Sequence, residues 1–429
     1  MRALFSWKRC AVAAVIGGMV PGVAAAQTVA PVARLTMDQA VQMAVARNQA
    51  LEAQRLAVDA SKQDEVTAGL KPNPTLNFTL DGITPFSPSQ LNFDFLKDSA
   101  VYGASASYLF ERGGKRRNRI LVAEDTTDVV AKTALDAERQ LRFQTAQAFV
   151  AVLLAKSALD LAQQDLQNFS NVVEVNRQRV QSGDLAQGDF YKISLQKLQF
   201  EQDVSSAQVG LVQARSQLRQ LLGYDAVAEN YDVVGDLAHT TATLNLDDLK
   251  QQALAARPDL QEARSNLTLA KNTLALQQSI AARDVTGGVD YFRNSYGPTS
   301  TLGVSASIDL PIHDRNQGNI AKSEVQIRQS TESELAAQYL VLSDVTSAYA
   351  GWQTADQVVK LYESGYLDQA KQSLDISQYV YQRGAGSLLD LLDAERTYRD
   401  TELGYRQALA AYMNSVQQLN SAVGKQVVQ

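Results

Sequence analysis

The chain has 429 residues, of which 45% are hydrophobic and 20% charged, so a packed core is feasible and global disorder is excluded. Its net charge is −6 and no segment concentrates basic residues, which argues against a nucleic-acid partner. The single cysteine, Cys10, excludes an intrachain disulfide.

Residues 1–26 have the three parts of a secretory signal peptide: a cationic start, an apolar stretch over 11–20, and small residues up to Ala26, where cleavage is expected. The apolar stretch is shorter than the roughly 20 residues that a helix needs to span a bilayer. Cys10 precedes this stretch, so we expect no lipidation of the mature chain. An N-terminal anchor helix is the alternative. No later segment resembles a transmembrane helix.

The first half of the chain predicts helix, strand, strand, very long helix and helix. A helix over 36–70 is stopped by prolines, and alternating strands follow at 75–81 and 102–110. No proline or glycine interrupts 115–182, which predicts one helix about 100 Å long at 1.5 Å per residue. Gly183 ends this helix and another returns over 187–222.

The second half repeats this order. Its predicted elements are a helix over 246–283, strands at 285–292 and 302–310, a long helix over 317–383 ended by Gly384, and a returning helix over 388–423. Gly183 and Gly384 are 201 residues apart, and so are Asp189 and Asp390. A tandem duplication over 35–223 and 244–424 explains this spacing, with equatorial segments at 224–245 and 425–429.

The apolar residues of the returning helices follow steps of three and four, which is typical of coiled coils. Two short helices together match one long helix in length, so we expect a rod with strands at one end and glycine-ended hairpins at the other. The strands have the length that crosses a bilayer when tilted. A membrane sheet must close, and the smallest barrels have about eight strands, so four strands per chain require oligomerisation. A soluble periplasmic coiled-coil scaffold capped by a small sheet is the alternative.

Three segments carry a family resemblance: Gly69-Leu-Lys-Pro-Asn-Pro74, Leu310-Pro-Ile-His-Asp-Arg-Asn-Gln-Gly-Asn319, and Tyr381-Gln-Arg-Gly-Ala-Gly-Ser-Leu-Leu-Asp390-Leu-Leu-Asp393-Ala-Glu395. Together with the duplicated plan, they resemble the TolC-type outer membrane factors, or outer membrane efflux proteins, over essentially the whole mature chain. Glu111-Arg-Gly-Gly-Lys-Arg-Arg117 and the Arg-Asn-Gln-Gly segment most resemble the CzcC-like branch, which serves heavy-metal efflux pumps.

The resemblance implies a mainly α fold, the TolC-like α/β barrel. Three chains would each give four strands to a 12-stranded outer-membrane barrel, and the helices would form a tunnel through the periplasm. The expected partners are two sister subunits, a periplasmic adaptor (membrane fusion protein), an inner-membrane resistance-nodulation-division (RND) pump and outer-membrane lipid. The implied function is a passive exit channel for divalent heavy-metal cations, not an enzyme and without a cofactor. Export of drugs or organic solutes by the same channel is the alternative.

The resemblance also assigns site residues. Asp390 and Asp393 match the aspartates of the periplasmic constriction, and Tyr381 and Asp189 match a tyrosine–aspartate lock between hairpins. The family's supporting arginine has no counterpart, because Gly386 stands there; Arg383 is the candidate substitute. The expected adaptor-docking tips are Gly183, Asp184, Leu185, Gly384, Ala385, Gly386 and Ser387. The alternative roles are solvated carboxylates at a helix start and glycine caps.

Few other residues suggest a catalytic or ligand-binding role. The only histidines, His239 and His313, lie in no metal-ligand or nucleophile spacing, so we expect no catalytic or metal site. The methionines after the leader are too scattered for a copper relay. Lys115-Arg116-Arg117 either solvates the start of the long helix or faces phospholipid head groups.

Overall fold

The computed structural model describes residues 34–81, 100–294 and 300–428. The predicted leader over 1–26 and almost all of the loop after the first predicted strand lie outside these residues. In the first repeat, the elements are β1 (Arg34–Leu35), α1 (Met37–Arg47), α2 (Gln49–Gly69), β2 (Thr75–Asp81), β3 (Val101–Phe110), α3 (Lys115–Gln181) and α4 (Gln187–Leu222).

The strand β4 (Asp232–Val233) lies between the repeats and pairs in parallel with β1. The second repeat contains α5 (Leu246–Ala256), α6 (Pro258–Ile280), β5 (Val285–Arg293), β6 (Thr301–Ile308), α7 (Gln317–Leu361), a π-helical turn (Tyr362–Tyr366), α8 (Leu367–Gln382) and α9 (Leu388–Val423). The strand predicted at 302–310 therefore starts one residue earlier and ends two residues earlier.

The prediction of one continuous helix at the start of each repeat is wrong, because both helices break. Asn48 is extended, with φ −70° and ψ 121°, and its Oδ1 accepts the N–H groups of Ala50 and Leu51 at 3.0 and 3.1 Å. Arg257 is extended in the same way, because Pro258 disfavours helical backbone in the residue before it. The two breaks are 209 residues apart, as are the capping residues Thr36 and Asn245.

The helix predicted over 317–383 is interrupted by the π-helical turn. Gly365 has φ 122° there, a conformation that favours glycine. On the neighbouring helix, a side chain at Gly404 would meet the Tyr362 hydroxyl at 2.5 Å, so glycine makes room for this tyrosine. Gly365 was the signal for a break in the sequence, because glycine inside a helix is unfavourable.

The four longer strands form one antiparallel sheet in the order β2-β3-β5-β6, with β2 and β6 at its edges. The register segregates side chains by face. One face carries the row Leu76, Ala106, Val289, Val304 and the row Phe78, Ala104, Tyr291, Leu302. The opposite face carries the row Asn77, Ser105, Asp290, Gly303. The sheet is thus apolar on one side and mainly polar on the other, and no other strand of the described residues pairs with β2 or β6 at its edges.

Two apolar clusters form the middle of the rod, one for each repeat. In the first, Phe149 and Val152 of α3 pack with Leu218 and Leu222 of α4 and with Tyr231 of residues 224–245, the connecting segment between the repeats. The second cluster contains Trp352 and Leu419. Its other buried members include Leu249, Ala253, Leu260, Val341, Val345, Tyr412 and Val428. Partly buried Leu237 packs against both clusters, so the connecting segment joins the two repeats.

The long helix α3 contains an 18-residue window that is apolar enough to cross a membrane by length and composition, with 39% of the window buried. The expectation that no segment after the leader resembles a transmembrane helix was therefore too broad. Phe149, Val150 and Leu153 of this helix are buried by packing within the chain, which accounts for apolar residues there.

Candidate functional site

Each repeat contains the same backbone turn before its last helix. Gly183 and Gly384 have φ values of 85° and 74°. The N–H of Asp184 donates to the carbonyl of Arg179 at 2.7 Å, and the N–H of Ala385 donates to the carbonyl of Val380 at 3.1 Å. These are equivalent left-handed glycine caps. We call α3 with α4 the first hairpin, and α8 with α9 the second hairpin.

Most of the predicted docking residues are exposed at these turns. They are Gly183, Asp184, Gly384, Ala385 and Ser387. Leu185 is only half-exposed, because it packs against the small core of the first hairpin around Phe169 and Phe200. Gly386 is also half-buried, and a side chain there would approach Val380 at 3.1 Å.

The predicted gate carboxylates lie at the start of α9. Ser387 caps this helix by accepting the N–H of Asp390 at 3.1 Å, which places Asp390 in the first turn and Asp393 one turn later. Both side chains are exposed. Among the described residues, neither carboxylate belongs to an ion pair, so both negative charges are available to a mobile cation.

The predicted lock pair is not joined within one chain. Tyr381 is only 7% exposed, and its hydroxyl donates to Oδ1 of Asn176 at 2.7 Å. Asn176 is fully buried and donates its own amide to the carbonyl of Val172 at 2.8 Å. Asp189 is exposed and pairs with Lys192 at 3.0 Å. Tyr381 therefore joins the second hairpin to the first through an asparagine that the sequence reasoning did not single out.

Two arginines near the tips lie over tyrosine rings. The Arg383 guanidinium lies 5.2 Å from the centroid of the Tyr379 ring. The Arg179 guanidinium, from the first hairpin, lies 5.7 Å from the centroid of the Tyr381 ring. Arg179 thus adds a second contact between the hairpins, of the cation–π kind.

We expect Asn176→Ala to lower the free energy of unfolding by about 1–3 kcal/mol, because the Tyr381 hydroxyl then stays buried without a partner. In a Tyr381→Phe background, the same substitution is expected to cost less, and a double-mutant cycle in urea measures the difference. Equal costs in the two backgrounds would contradict the assignment.

Further polar contacts join the hairpins farther from the tips. Arg399 of α9 pairs with Asp203 of α4 at 3.1 Å, and Arg406 of α9 donates to the Ser157 hydroxyl of α3 at 2.9 Å. Beside them lies a 230 Å³ cavity whose wall includes Asp165 of α3 and Glu395 of α9. Burial raises the pKa of Asp165 to about 6, against the opposing charges of Arg399 and Arg406.

The same surroundings affect Glu395. Burial raises its pKa to about 7, and the charge of Asp165 raises it further while Arg399 lowers it. Sequence reasoning did not identify this carboxyl pair. Both helices carry many acidic residues. The sequence does not indicate which of these residues face the boundary between the hairpins.

The other candidates from the sequence have structural contacts. The His239 side chain is 8% exposed, with Nε2 2.8 Å from Asp356 and Nδ1 3.3 Å from Glu363. Lys115 pairs with Asp284 at 2.7 Å, and Arg116 donates to the carbonyl of Gly69 at 2.6 Å. These contacts join the start of α3 to neighbouring elements. Within 34–81, 100–294 and 300–428, no group of three or more histidine, cysteine or acidic side chains is arranged to hold a metal ion.

Comparison with known sequences identifies similar proteins over most of the chain. The family model described as outer membrane efflux protein matches residues 40–224 and 249–425. The cobalt-zinc-cadmium resistance protein CzcC of Cupriavidus metallidurans is 23% identical over 391 residues, which cover 91% of this chain and 90% of CzcC. The cation efflux system protein CusC of Escherichia coli K12 is 26% identical over 46% of this chain and 44% of CusC.

Solved structures with the same fold cover nearly all of this chain. A crystal structure of CusC has a TM-score of 0.74 at 20% identity and covers 91% of this chain and 92% of its own. VceC from Vibrio cholerae has a TM-score of 0.71 at 17% identity, covering 91% of this chain and 96% of its own. This likeness establishes the architecture: long helices with a small sheet at one end.

Proposed function

Since the chain belongs to the outer membrane efflux protein family, in its CzcC/CusC branch, we propose that it is the passive exit channel of a tripartite RND-type pump for divalent heavy-metal cations. As a family member it is an outer membrane efflux channel with the TolC-type fold. The cargo, the pump partners and the gate are the parts that we propose.

The observation that carries the proposal is the two-faced sheet. Leu302 and Val304 of β6 are 79% and 85% exposed, and Phe78 of β2 is 77% exposed. A soluble cap would bury these side chains, whereas a membrane strand alternates lipid-facing apolar residues with polar residues facing the lumen. The open edges at β2 and β6 are satisfied when β6 of one subunit pairs with β2 of the next. Three chains then close a 12-stranded wall.

In this trimer, Asp390 and Asp393 form two rings of three carboxylates at the periplasmic end of the tunnel. Carboxylate rings favour cations over anions in a pore. The hairpin tips around Gly183 and Gly384 contact the periplasmic adaptor, and the contacts of Tyr381 hold the hairpins together. Asp189 reaches a partner for the lock only after rearrangement of the hairpins or across a subunit boundary.

The metal cargo is supported by the relatives and by the charge of the proposed gate. CzcC is named for cobalt, zinc and cadmium resistance, and CusC for cation efflux. The exposed carboxylates Asp390 and Asp393 suit a path for divalent cations, which are conducted without a resident metal site.

The cargo is tested by deleting the gene and restoring it on a plasmid. We expect the deletion to lower tolerance to at least one of cobalt, zinc, cadmium, nickel and copper by several-fold, and the restored strain to recover. Dyes and antibiotics serve as the parallel series. Unchanged metal tolerance with lost drug tolerance would support organic cargo instead. Release of the protein with the soluble periplasmic fraction would support the scaffold alternative.

A further inference from the structure

Two carboxyl groups lie in one cavity at the boundary between the hairpins, one on each side of it. Asp165 belongs to the first hairpin and Glu395 to the second, and both line the 230 Å³ cavity. Oδ2 of Asp165 and Oε2 of Glu395 are shielded from solvent, and neither has a hydrogen-bond partner in the described part of the chain. A buried oxygen without a donor is costly when its group is ionised.

The nearby cations offset the charge of this pair only in part, because each is shared with another carboxylate. On α9, Arg399 is paired with Asp203 of α4 at 3.1 Å, and Arg406 with Glu402 at 3.5 Å. The cavity wall also includes Asp393, Arg396 and Tyr398 of α9. From α8, Lys371 and Asp375 line the adjoining cavity.

These groups leave the boundary between the hairpins with more buried negative charge than positive charge when both carboxyls are ionised. Each guanidinium in contact with the cluster already has a carboxylate of its own. Burial raises the pKa of Asp165 to about 6 and that of Glu395 to about 7, so this cavity disfavours the ionised form of each group.

We propose that Asp165 and Glu395 form a proton-sensitive latch between the hairpins, which holds α3 and α9 together when the pair is protonated and loosens when both groups ionise. The latch goes beyond the proposed transport function and does not depend on the cargo. Separation of the hairpins would be favoured on the alkaline side of neutrality.

The direction follows from proton linkage. The folded hairpins bind more protons than the unfolded chain between the ordinary carboxyl pKa values and the raised ones. The latch therefore contributes stability in mild acid, and this contribution is lost as the pH rises through about 6 for Asp165 and about 7 for Glu395. The Asp165→Asn/Glu395→Gln variant keeps the shape of both side chains and is uncharged at every pH.

The test measures packing and protonation separately in the purified full-length oligomer. Cys10 lies in the predicted leader, so Leu389→Cys, at an exposed position of α9 on the cavity wall, carries a single bimane label in the processed chain. Asn168→Trp, at an exposed position of α3 on the same wall, supplies the quencher. We expect bimane fluorescence to increase with pH between about 5 and about 8, with its midpoint at the pKa values of the pair.

In the Asp165→Asn/Glu395→Gln background, we expect the fluorescence to stay quenched across this range. Infrared difference spectra should show a protonated carboxyl signal that disappears over the same range and is absent from the double variant. Glu174→Gln removes an exposed carboxylate of α3, paired with Arg177, and should leave both transitions unchanged. A flat titration in the parent, or the same transition in the double variant, would overturn the latch without affecting the assignment as a channel.

Discussion

Replacing Arg257 by leucine is expected to lower the free energy of unfolding by about 3 kcal/mol, because the hydrogen bonds of a buried guanidinium to two carboxylates and a carbonyl are lost. The Arg257 side chain is 3% exposed. Its guanidinium donates to Asp259 at 2.9 Å, to Asp344 at 3.0 Å and to the carbonyl of Ala422 at 3.2 Å. It therefore joins the break between α5 and α6 to both α7 and α9. Chemical denaturation of the detergent-solubilised protein measures the loss.

Acid should remove part of the same stabilisation. Burial opposes the charge of Asp259, but the hydrogen bonds and charge of Arg257 outweigh it and hold the pKa of Asp259 below its ordinary 3.8. This contribution is present above the unfolded pKa and is lost as the pH falls through the folded pKa. Arg264→Leu, within α6, is the control, since the pair of Arg264 with Glu334 is partly exposed and worth below about 1 kcal/mol. An Arg257→Leu variant as stable as this control would refute the role of the buried pair.

Converting Asp390 and Asp393 together to asparagine is expected to weaken block of the channel by trivalent cations by about tenfold or more. Six carboxylates are lost from the proposed trimer, and a tenfold change in affinity corresponds to only about 1.4 kcal/mol. Single-channel conductance in planar bilayers, titrated with a trivalent cobalt ammine complex, measures the block. Selectivity for cations over anions should fall in the same variant.

The control for this experiment removes two carboxylates elsewhere. Asp59 and Asp64 are exposed on α2, far along the chain from the hairpin tips, and their conversion to asparagine changes the net charge equally. We expect this variant to be blocked like the parent. If the Asp390→Asn/Asp393→Asn variant retains full block, the gate lies elsewhere.

The order of the elements was predictable because glycine and proline, which end helices and strands, are few and recur at equivalent places in the two repeats. Gly183 and Gly384 end the helices α3 and α8 at positive φ, and the run of helix formers before Gly183 contains no glycine or proline from 115 to 182. The break at Arg257 could have been inferred from Pro258. The break at Asn48 could not, because asparagine occurs within helices as well as at their caps.

The candidate site was less predictable, since its contacts join residues far apart in sequence. Tyr381 and Asn176 are separated by 205 residues, and Arg399 and Asp203 by 196. Helical periodicity predicts which residues share a face, but not which of several polar residues on that face meet a partner. Asn176 could have been noticed as a polar residue at a core-like spacing from Phe169 and Val173, since a buried polar residue in a coiled coil often specifies pairing.

The order of strands in the sheet bears on how the two repeats came to be joined in one chain. Strands β3 and β5 join the first repeat to the second within one chain, and in the proposed trimer β6 and β2 make the same junction between chains. Every junction between repeats in the barrel is then the same kind of strand pair. Half of these junctions lie within one chain, because residues 224–245 connect its two repeats. A chain cut within this connecting segment, with both halves exported together, should reassemble into the same ring from six pieces, as an ancestor with unfused repeats would have done.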